Sequence, residues 1–149
     1  MKQTDLRVGI IATGWIAEKA ALTIQHMEGV TCHAVASRTF EKAEAFAQQW
    51  GIPKAYGSYS ELITAPDIDL IYVGTPHSHH YDVTMEAIQH GKPCLVEKAF
   101  MANYEQSLAI VNAAREKKVF LAEAIWTRYQ PIVQTIREII SEGQLGDLR

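Results

Sequence analysis

The residues best suited to chemistry form a turn near the amino terminus: Ala12-Thr13-Gly14-Trp15-Ile16-Ala17. The turn separates an apolar run from a helical pattern, which predicts a buried strand, a tight turn and a helix start. The first amides of a helix lack partners within it, and the helix dipole adds partial positive charge there. A phosphate can bind these amides where no side chain blocks it, and Gly14 stands at the point of closest approach. The turn therefore resembles the dinucleotide-binding pattern G-x-G-x-x-G/A with Ala12 as its first residue, and an ordinary strand–turn–helix is the alternative.

A serine and an arginine, Ser37 and Arg38, follow the second apolar run. An NAD site usually carries an acidic residue here, which accepts a hydrogen bond from the ribose 2′-hydroxyl. Arginine can instead form a planar, paired contact with a 2′-phosphate, and a serine hydroxyl can add a donor. The pair favours NADP, with NAD as second choice; the alternative is a solvated loop arginine.

Three histidines fall within four residues after the fourth apolar run: His77, His79 and His80. Their spacing suggests zinc, but neither a cysteine nor a carboxylate cluster accompanies them, so we predict no metal site. We expect Thr75, Pro76 and one of the histidines to line a ribose or nicotinamide site instead.

An acid–base pair, Glu97-Lys98, emerges at the end of the fifth run. A partly desolvated lysine there could handle a proton or polarise an oxygen, while a simple salt bridge is the alternative. Farther along, Trp126 could pack on a flat ring and Arg128 could meet phosphate or Glu97. Aromatic packing at a hinge explains these last two residues equally well.

These residues need a scaffold, and continuous apolar runs alternate with helical patterns along the chain. The predicted strands are Leu6–Ala12, Val30–Ser37, Lys54–Tyr56, Leu70–Gly74, Pro93–Glu97 and Val119–Ala124. The predicted helices are Trp15–His26, Phe40–Trp50, Tyr59–Ile63, His79–His90 and Tyr104–Lys117. Runs that are apolar on both sides indicate parallel strands covered on both faces. The fold class is therefore α/β, a doubly wound parallel sheet of the Rossmann type with right-handed crossovers.

Composition narrows the class of protein. A net charge of −3 over 149 residues creates no basic field for nucleic acid or an anionic membrane. No apolar run approaches the ~20 residues that span a bilayer, and no apolar signal core follows Met1. The two cysteines, Cys32 and Cys94, fall in strands that we do not expect to be neighbours, so free thiols and a cytoplasmic location are predicted.

The alternation stops after Ala124. An aromatic, charged segment leads to a helix with isoleucines on one face, and the terminal Gly-x-Leu-Gly-x-Leu-Arg looks like a turn entering a further strand. We therefore expect a cofactor-binding domain over 1–125 and a hinge with a helix over 126–149, cut at a domain border. An exposed apolar face of this size tends to self-associate, so a homo-oligomer through Trp126–Leu148 is predicted.

Together these segments resemble the Gfo/Idh/MocA oxidoreductase family over essentially the whole chain. The segments that carry the resemblance are Gly9–Ala17, Ser37-Arg38, Thr75-Pro76 with His80, Glu97-Lys98 and Glu123 through Tyr129. The first turn and Trp126–Tyr129 are most similar to its dihydrodiol and D-xylose dehydrogenase branch, which uses NADP. The family's second α/β domain, which supplies most substrate contacts, is absent from these 149 residues.

The resemblance implies a role for each segment. Contacts to pyrophosphate and the neighbouring ribose would come from Ala12, Thr13, Gly14, Trp15 and Ile16, and contacts to the 2′-phosphate from Ser37 and Arg38. The nicotinamide side would be bordered by Thr75, Pro76, His80 and Glu97, with Trp126 and Arg128 closing over the cofactor. Lys98 would also contact the cofactor, and as the catalytic residue it would position the substrate hydroxyl and assist proton transfer.

One departure concerns Ala99, which replaces the proline of the family's Glu-Lys-Pro motif. A cis bond before a residue other than proline costs about 2.5–4 kcal/mol, so we predict a trans or strained Lys98–Ala99 bond and a displaced Lys98.

The implied activity is an NADP-dependent dehydrogenase acting on a sugar or diol hydroxyl. The 149-residue chain is then its cofactor-binding domain, with little or no turnover alone. The alternatives are a stand-alone module that binds or senses NADP(H), and a truncated product without activity.

Overall fold

A computed structural model describes residues 5–147. Its strands are β1 (Leu6–Ile11), β2 (Val30–Ala36), β3 (Lys54–Tyr56), β4 (Leu70–Val73), β5 (Cys94–Val96) and β6 (Leu121–Glu123). Its helices are α1 (Trp15–Gln25), α2 (Phe40–Trp50), α3 (Tyr59–Thr64), α4 (His80–Gln89), α5 (Tyr104–Lys117) and α6 (Pro131–Ser141). The six strands form one parallel sheet in the order β3-β2-β1-β4-β5-β6. This order confirms the doubly wound Rossmann prediction.

Successive side chains of each strand point to opposite faces of the sheet, and helices cover both faces. Ile10 packs with α1 and α2 on one face, whereas its neighbour Ile11 packs with α3, α4 and α5 on the other. This arrangement explains why the strands have continuous apolar sequences rather than alternating ones.

Helix ends follow the local signals in the sequence. The side-chain oxygen of Asn103 accepts a hydrogen bond from the amide of Gln106 at 2.8 Å, which caps α5. Gly51 ends α2 in the left-handed conformation, with φ at 64°. The bounds of α2, α5 and β3 are those predicted, and the other strands are shorter by one to three residues.

The peptide bond between Lys98 and Ala99 is cis, so the prediction of a trans bond is wrong. That prediction weighed only the intrinsic cost of the bond and not its neighbours. In a cis bond the carbonyl oxygen and the amide hydrogen lie on the same side. His77 Nε2 lies there, 2.9 Å from the Lys98 oxygen and 3.2 Å from the Ala99 nitrogen.

The carboxyl-terminal segment differs from the layers before it. A short 3-10 helix, Trp126–Tyr129, leads into α6, and α6 contains no buried residue. Its apolar face therefore lacks a partner within the described residues. Leu148 and Arg149, at the start of the predicted further strand, lie outside residues 5–147. Within that range, no helix combines the length and apolar character needed to cross a membrane.

Candidate functional site

A cavity of about 780 Å³ opens at the carboxyl ends of the strands. The predicted site residues that line it are Ala12, Thr13, Gly14, Trp15, Ile16, Ser37, Arg38, Thr75, Pro76, Glu97 and Lys98. Thr39, Lys42, Tyr59, Gly74, His77 and His79 complete the lining. His80, Trp126 and Arg128 do not line it. The fold thus brings together five chain segments that are far apart in sequence, at the edge where open α/β sheets bind ligands.

The turn between β1 and α1 leaves backbone amides open to the cavity. Gly14 is the N-cap of α1, in extended conformation with φ −83° and ψ 177°, and no side chain caps the helix. A Cβ atom added at Gly14 would meet no protein atom within 4 Å, so no neighbouring side chain occupies this approach. Ala12 has a φ of 94°, a conformation that favours glycine. The first amides of α1 can therefore accept an anion.

Two cationic side chains stand at the end of the cavity beside β2. Arg38 and Lys42 both line it, and no hydrogen bond or ion pair to either side chain occurs within residues 5–147. Ser37 is 6% exposed and lies at the same place. Lys42 was not among the residues predicted from the sequence. Its position in the first turn of α2, four residues after Arg38, would have been a reason to include it. An unpaired pair of cations beside a hydroxyl suits a phosphate group.

A tyrosine extends this cationic end. Tyr59 lines the cavity, and burial raises the pKa of its hydroxyl while the positive charge of Arg38 opposes that shift. The hydroxyl therefore stays protonated near Arg38, where it can donate a hydrogen bond.

Thr75 carries the clearest sign of an unmet hydrogen bond. Its residue is 5% exposed, it lines the cavity, and its Oγ1 has no hydrogen-bond partner among the described residues. A buried hydroxyl without a partner costs about 1–3 kcal/mol. Because the hydroxyl itself is covered, a polar ligand would supply the partner only after the side chain turns toward the cavity that Thr75 lines.

The three histidines separate into two kinds. His77 and His79 line the cavity, whereas His80 is fully buried beneath it. His80 Nε2 lies 2.8 Å from the carbonyl oxygen of Thr75, and Nδ1 lies 3.1 Å from those of Ala99 and Phe100. His80 therefore joins the loop after β4 to the loop after β5. No group of three potential metal ligands occurs in the part of the chain that the structure describes.

Glu97 and Lys98 lie side by side in the cavity lining without forming the salt bridge that the sequence left open as an alternative. Glu97 Oε1 accepts a hydrogen bond from the Tyr72 hydroxyl at 2.5 Å, and Oε2 accepts one from the Lys98 amide at 3.1 Å. Burial, followed by the hydrogen bond to Glu97, raises the pKa of Tyr72 well above its usual range. Tyr72 escaped sequence analysis because its position in β4 resembles any core residue.

The segment after Lys98 is also held from β6. Glu123 Oε1 accepts a hydrogen bond from the Phe100 amide at 3.0 Å. Trp126 and Arg128 lie beyond that strand and are exposed, Trp126 to 59%. Their predicted closure over a cofactor stays a prediction.

Comparison with known proteins shows that this chain matches a known family. Residues 6–124 match the family model described as an oxidoreductase family with an NAD-binding Rossmann fold. The trans-1,2-dihydrobenzene-1,2-diol dehydrogenase of Xenopus laevis is 43% identical over 143 residues, which cover 95% of this chain and 43% of that protein. The D-xylose 1-dehydrogenase (NADP(+)) of Hypocrea jecorina is 44% identical over 153 residues, which cover 95% and 39%. The chain thus spans less than half the length of these curated relatives.

A solved structure of a similar protein has the same fold. KijD10, a 3-ketoreductase from Actinomadura kijaniata in complex with TDP-benzene and NADP, matches with a TM-score of 0.87 at 26% identity. The match covers 94% of this chain and 44% of that one.

Proposed function

Because the chain belongs to the Gfo/Idh/MocA oxidoreductase family, we propose that its cavity binds NADP, with NAD as the weaker ligand. The observation that carries this proposal is the pair of unpaired cations, Arg38 and Lys42, beside Ser37 at the end of β2. An NAD site would place a carboxylate there. The D-xylose dehydrogenase and KijD10, both similar to this chain, are associated with NADP by name and by crystal complex.

The rest of the cavity fits the same ligand. The open amides after Gly14 suit a pyrophosphate, with Thr13, Trp15 and Ile16 beside it. The unmet hydroxyl of Thr75 and the acceptor Glu97 lie toward the other end, where a ribose and its nicotinamide would bind. His80 supports this end from below through backbone carbonyls rather than by contact.

For the full-length protein we propose a dehydrogenase that acts on a hydroxyl of a sugar or diol. The nicotinamide, when bound, supplies hydride transfer. In this scheme Lys98 holds the substrate hydroxyl and assists its proton, since its ammonium group forms no ion pair within the described residues. Residues 1–125 are then the cofactor-binding domain, and 126–149 lead toward the substrate domain. We expect the 149-residue chain to bind cofactor with little or no turnover, because half a pocket cannot fix the substrate.

A ligand titration tests the cofactor. Thermal unfolding of the chain with NADP at 100 times its dissociation constant should stabilise it by about 2.7 kcal/mol. NAD should stabilise less at the same concentration. No shift with either nucleotide would overturn the proposal. An assay of NADPH formation on aldoses and diols, run beside it, separates a binding module from an active enzyme.

We propose further that the exposed face of the hinge and α6 associates with a second copy or a further domain. Ile132, Ile136 and Ile140 recur on one side of α6 and are 42–58% exposed, beside the exposed rings of Trp126 and Tyr129. Light scattering at high concentration should reveal a dimer that Ile136→Glu disrupts; a clean monomer would contradict self-association.

We also propose a reducing, cytoplasmic setting. Cys32 and Cys94 are free thiols, and burial raises the pKa of each to about 12. Such thiols are inert core residues rather than nucleophiles.

A further inference from the structure

We propose that Tyr72 is a positioning residue that fixes the Glu97 carboxylate at the nicotinamide end of the cavity, and so sets the affinity for the nicotinamide half of the cofactor. The inference rests on the proposed function. It adds a residue that does not line the cavity and that acts on the ligand through Glu97.

The sheet register places the two side chains together. Tyr72 pairs with Leu95 and Val73 pairs with Val96, so Gly74 stands opposite Glu97 one step farther along. Tyr72 and Gly74 share one face of the sheet, as do Leu95 and Glu97. The phenol ring can therefore reach Glu97 only by passing over Gly74.

Gly74 provides the space for that reach. A Cβ atom built there would lie 3.2 Å from Tyr72 Cε1 and 3.4 Å from Ile16 Cγ2. The first contact is tighter than ordinary packing between carbon atoms, and the second is at the lower limit of ordinary packing. The absence of a side chain at Gly74 thus lets the Tyr72 hydroxyl meet Glu97 beside the cavity.

The hydrogen bonds leave Glu97 little freedom. The phenol is buried and holds its proton, so it donates and Oε1 accepts. The Lys98 amide donates to Oε2. With one donor on each oxygen, the carboxylate keeps its remaining lone pairs for the cavity that it lines. An acceptor held in this way suits a ribose hydroxyl.

Preorganisation gives Tyr72 its effect on binding. A free glutamate populates several rotamers, and a ligand that needs one of them binds more weakly. Tyr72→Phe removes only the hydroxyl and keeps the packed ring. We expect the dissociation constant for NADP to rise about tenfold, the equivalent of losing one hydrogen bond to a charged group.

The experiment is calorimetric titration of the wild-type chain and Tyr72→Phe with two ligands. NADP reaches both ends of the cavity, whereas adenosine 2′,5′-bisphosphate lacks the nicotinamide ribose. Tyr72→Phe should weaken NADP and leave the bisphosphate unchanged. A general structural defect would weaken both. Tyr81→Phe, the same deletion at a half-buried tyrosine of α4 outside the cavity lining, is the matched control.

A double-mutant cycle with Glu97→Gln completes the test. If Tyr72 acts through Glu97, the double variant should lose less NADP affinity than the two single losses combined. Additive losses, or equal losses for both ligands, would overturn the inference. A wild-type chain that binds neither ligand would instead contradict the proposed function, so the two failures are distinguishable.

Discussion

The two ends of the parallel sheet handle charge in opposite ways. At the amino ends, charged groups satisfy one another. Arg7 donates to both oxygens of Asp69 at 2.8 and 2.9 Å, and its own amide donates to the same carboxylate. Asp67 accepts from His33 and Lys54. These pairs join β1, β2 and β3 to the loop that precedes β4, which is a structural role.

At the carboxyl ends, the charged groups face a cavity instead. Arg38, Lys42 and Lys98 make no side-chain ion pair within residues 5–147, and the hydroxyl of Thr75 lacks a partner. Exposed cations and a buried hydroxyl that line one cavity are suited to a polar, anionic ligand. In one sheet, the amino ends of the strands therefore have a structural role and the carboxyl ends are suited to ligand binding.

The sharpest way to break this contrast is a charge reversal at each edge. Arg38→Asp should raise the dissociation constant for NADP about 100-fold or more, since a charge-assisted contact is lost and repulsion of the 2′-phosphate is added. NAD affinity should change far less. Titration with both nucleotides measures the difference.

Lys54→Glu is the matched reversal at the amino edge. It should leave both dissociation constants unchanged and lower the melting temperature, because Lys54 pairs with Asp67. Equal loss of NADP and NAD in Arg38→Asp would contradict the assignment of Arg38 to the 2′-phosphate.

A smaller effect is expected at Gly14. Its extended backbone accepts any residue, and a Cβ atom added there meets no atom within 4 Å apart from its two chain neighbours. Gly14→Val should therefore leave the apo melting temperature nearly unchanged while it weakens NADP and NAD alike by about tenfold, since the side chain blocks the pyrophosphate. A variant that binds both nucleotides normally would place the pyrophosphate elsewhere.

Much of this contrast could be predicted from sequence where the signal is local. The phosphate turn around Gly14, the Ser37-Arg38 pair and the Asn103 cap depend on neighbours within a few residues. Continuous apolar runs indicated strands buried on both faces, and the alternation with helices indicated the parallel sheet.

Features that depend on pairing across the sheet could not be predicted. Tyr72 meets Glu97 only through the register of β4 with β5. His80 resembled a ligand contact, but the fold places it under the cavity with both ring nitrogens on backbone carbonyls. The His77 ring that lies beside the cis bond after Lys98 is 21 residues away along the chain. The separation of two residues along the sequence does not tell how far apart they lie in the fold.

Two non-glycine residues with positive φ, one at each kind of site, allow a comparison in which the expected change in unfolding free energy is about 1 kcal/mol. Ala12 at the ligand edge and Lys118 at the end of α5 both have positive φ, 94° and 56°. Because non-glycine residues are disfavoured there, Ala12→Gly and Lys118→Gly should each stabilise the apo chain by about 1 kcal/mol, or about 3 °C in melting temperature. Thermal unfolding checks both.

The two sites should differ in ligand binding. Ala12 lines the cavity, so only its variant is expected to change NADP affinity, and by no more than a few-fold. A loss of stability in Ala12→Gly alongside a gain in Lys118→Gly would mean that the turn selects alanine for packing.

The smallest effect concerns acid stability at the amino edge. The hydrogen bonds from Arg7 lower the pKa of Asp69 from 3.8 to about 2. A carboxylate with a lowered pKa in the folded state adds stability above its unfolded pKa, and this contribution is lost as the pH falls toward 2. Asp69→Asn should therefore flatten the fall in melting temperature between about pH 4 and pH 2. Lys42→Gln removes a charge from the opposite edge without removing a carboxylate, so it should leave that slope as in the wild type. Unfolding curves at half-unit pH steps measure it, and an unchanged slope in Asp69→Asn would mean that the Arg7 pair contributes no pH-dependent stability.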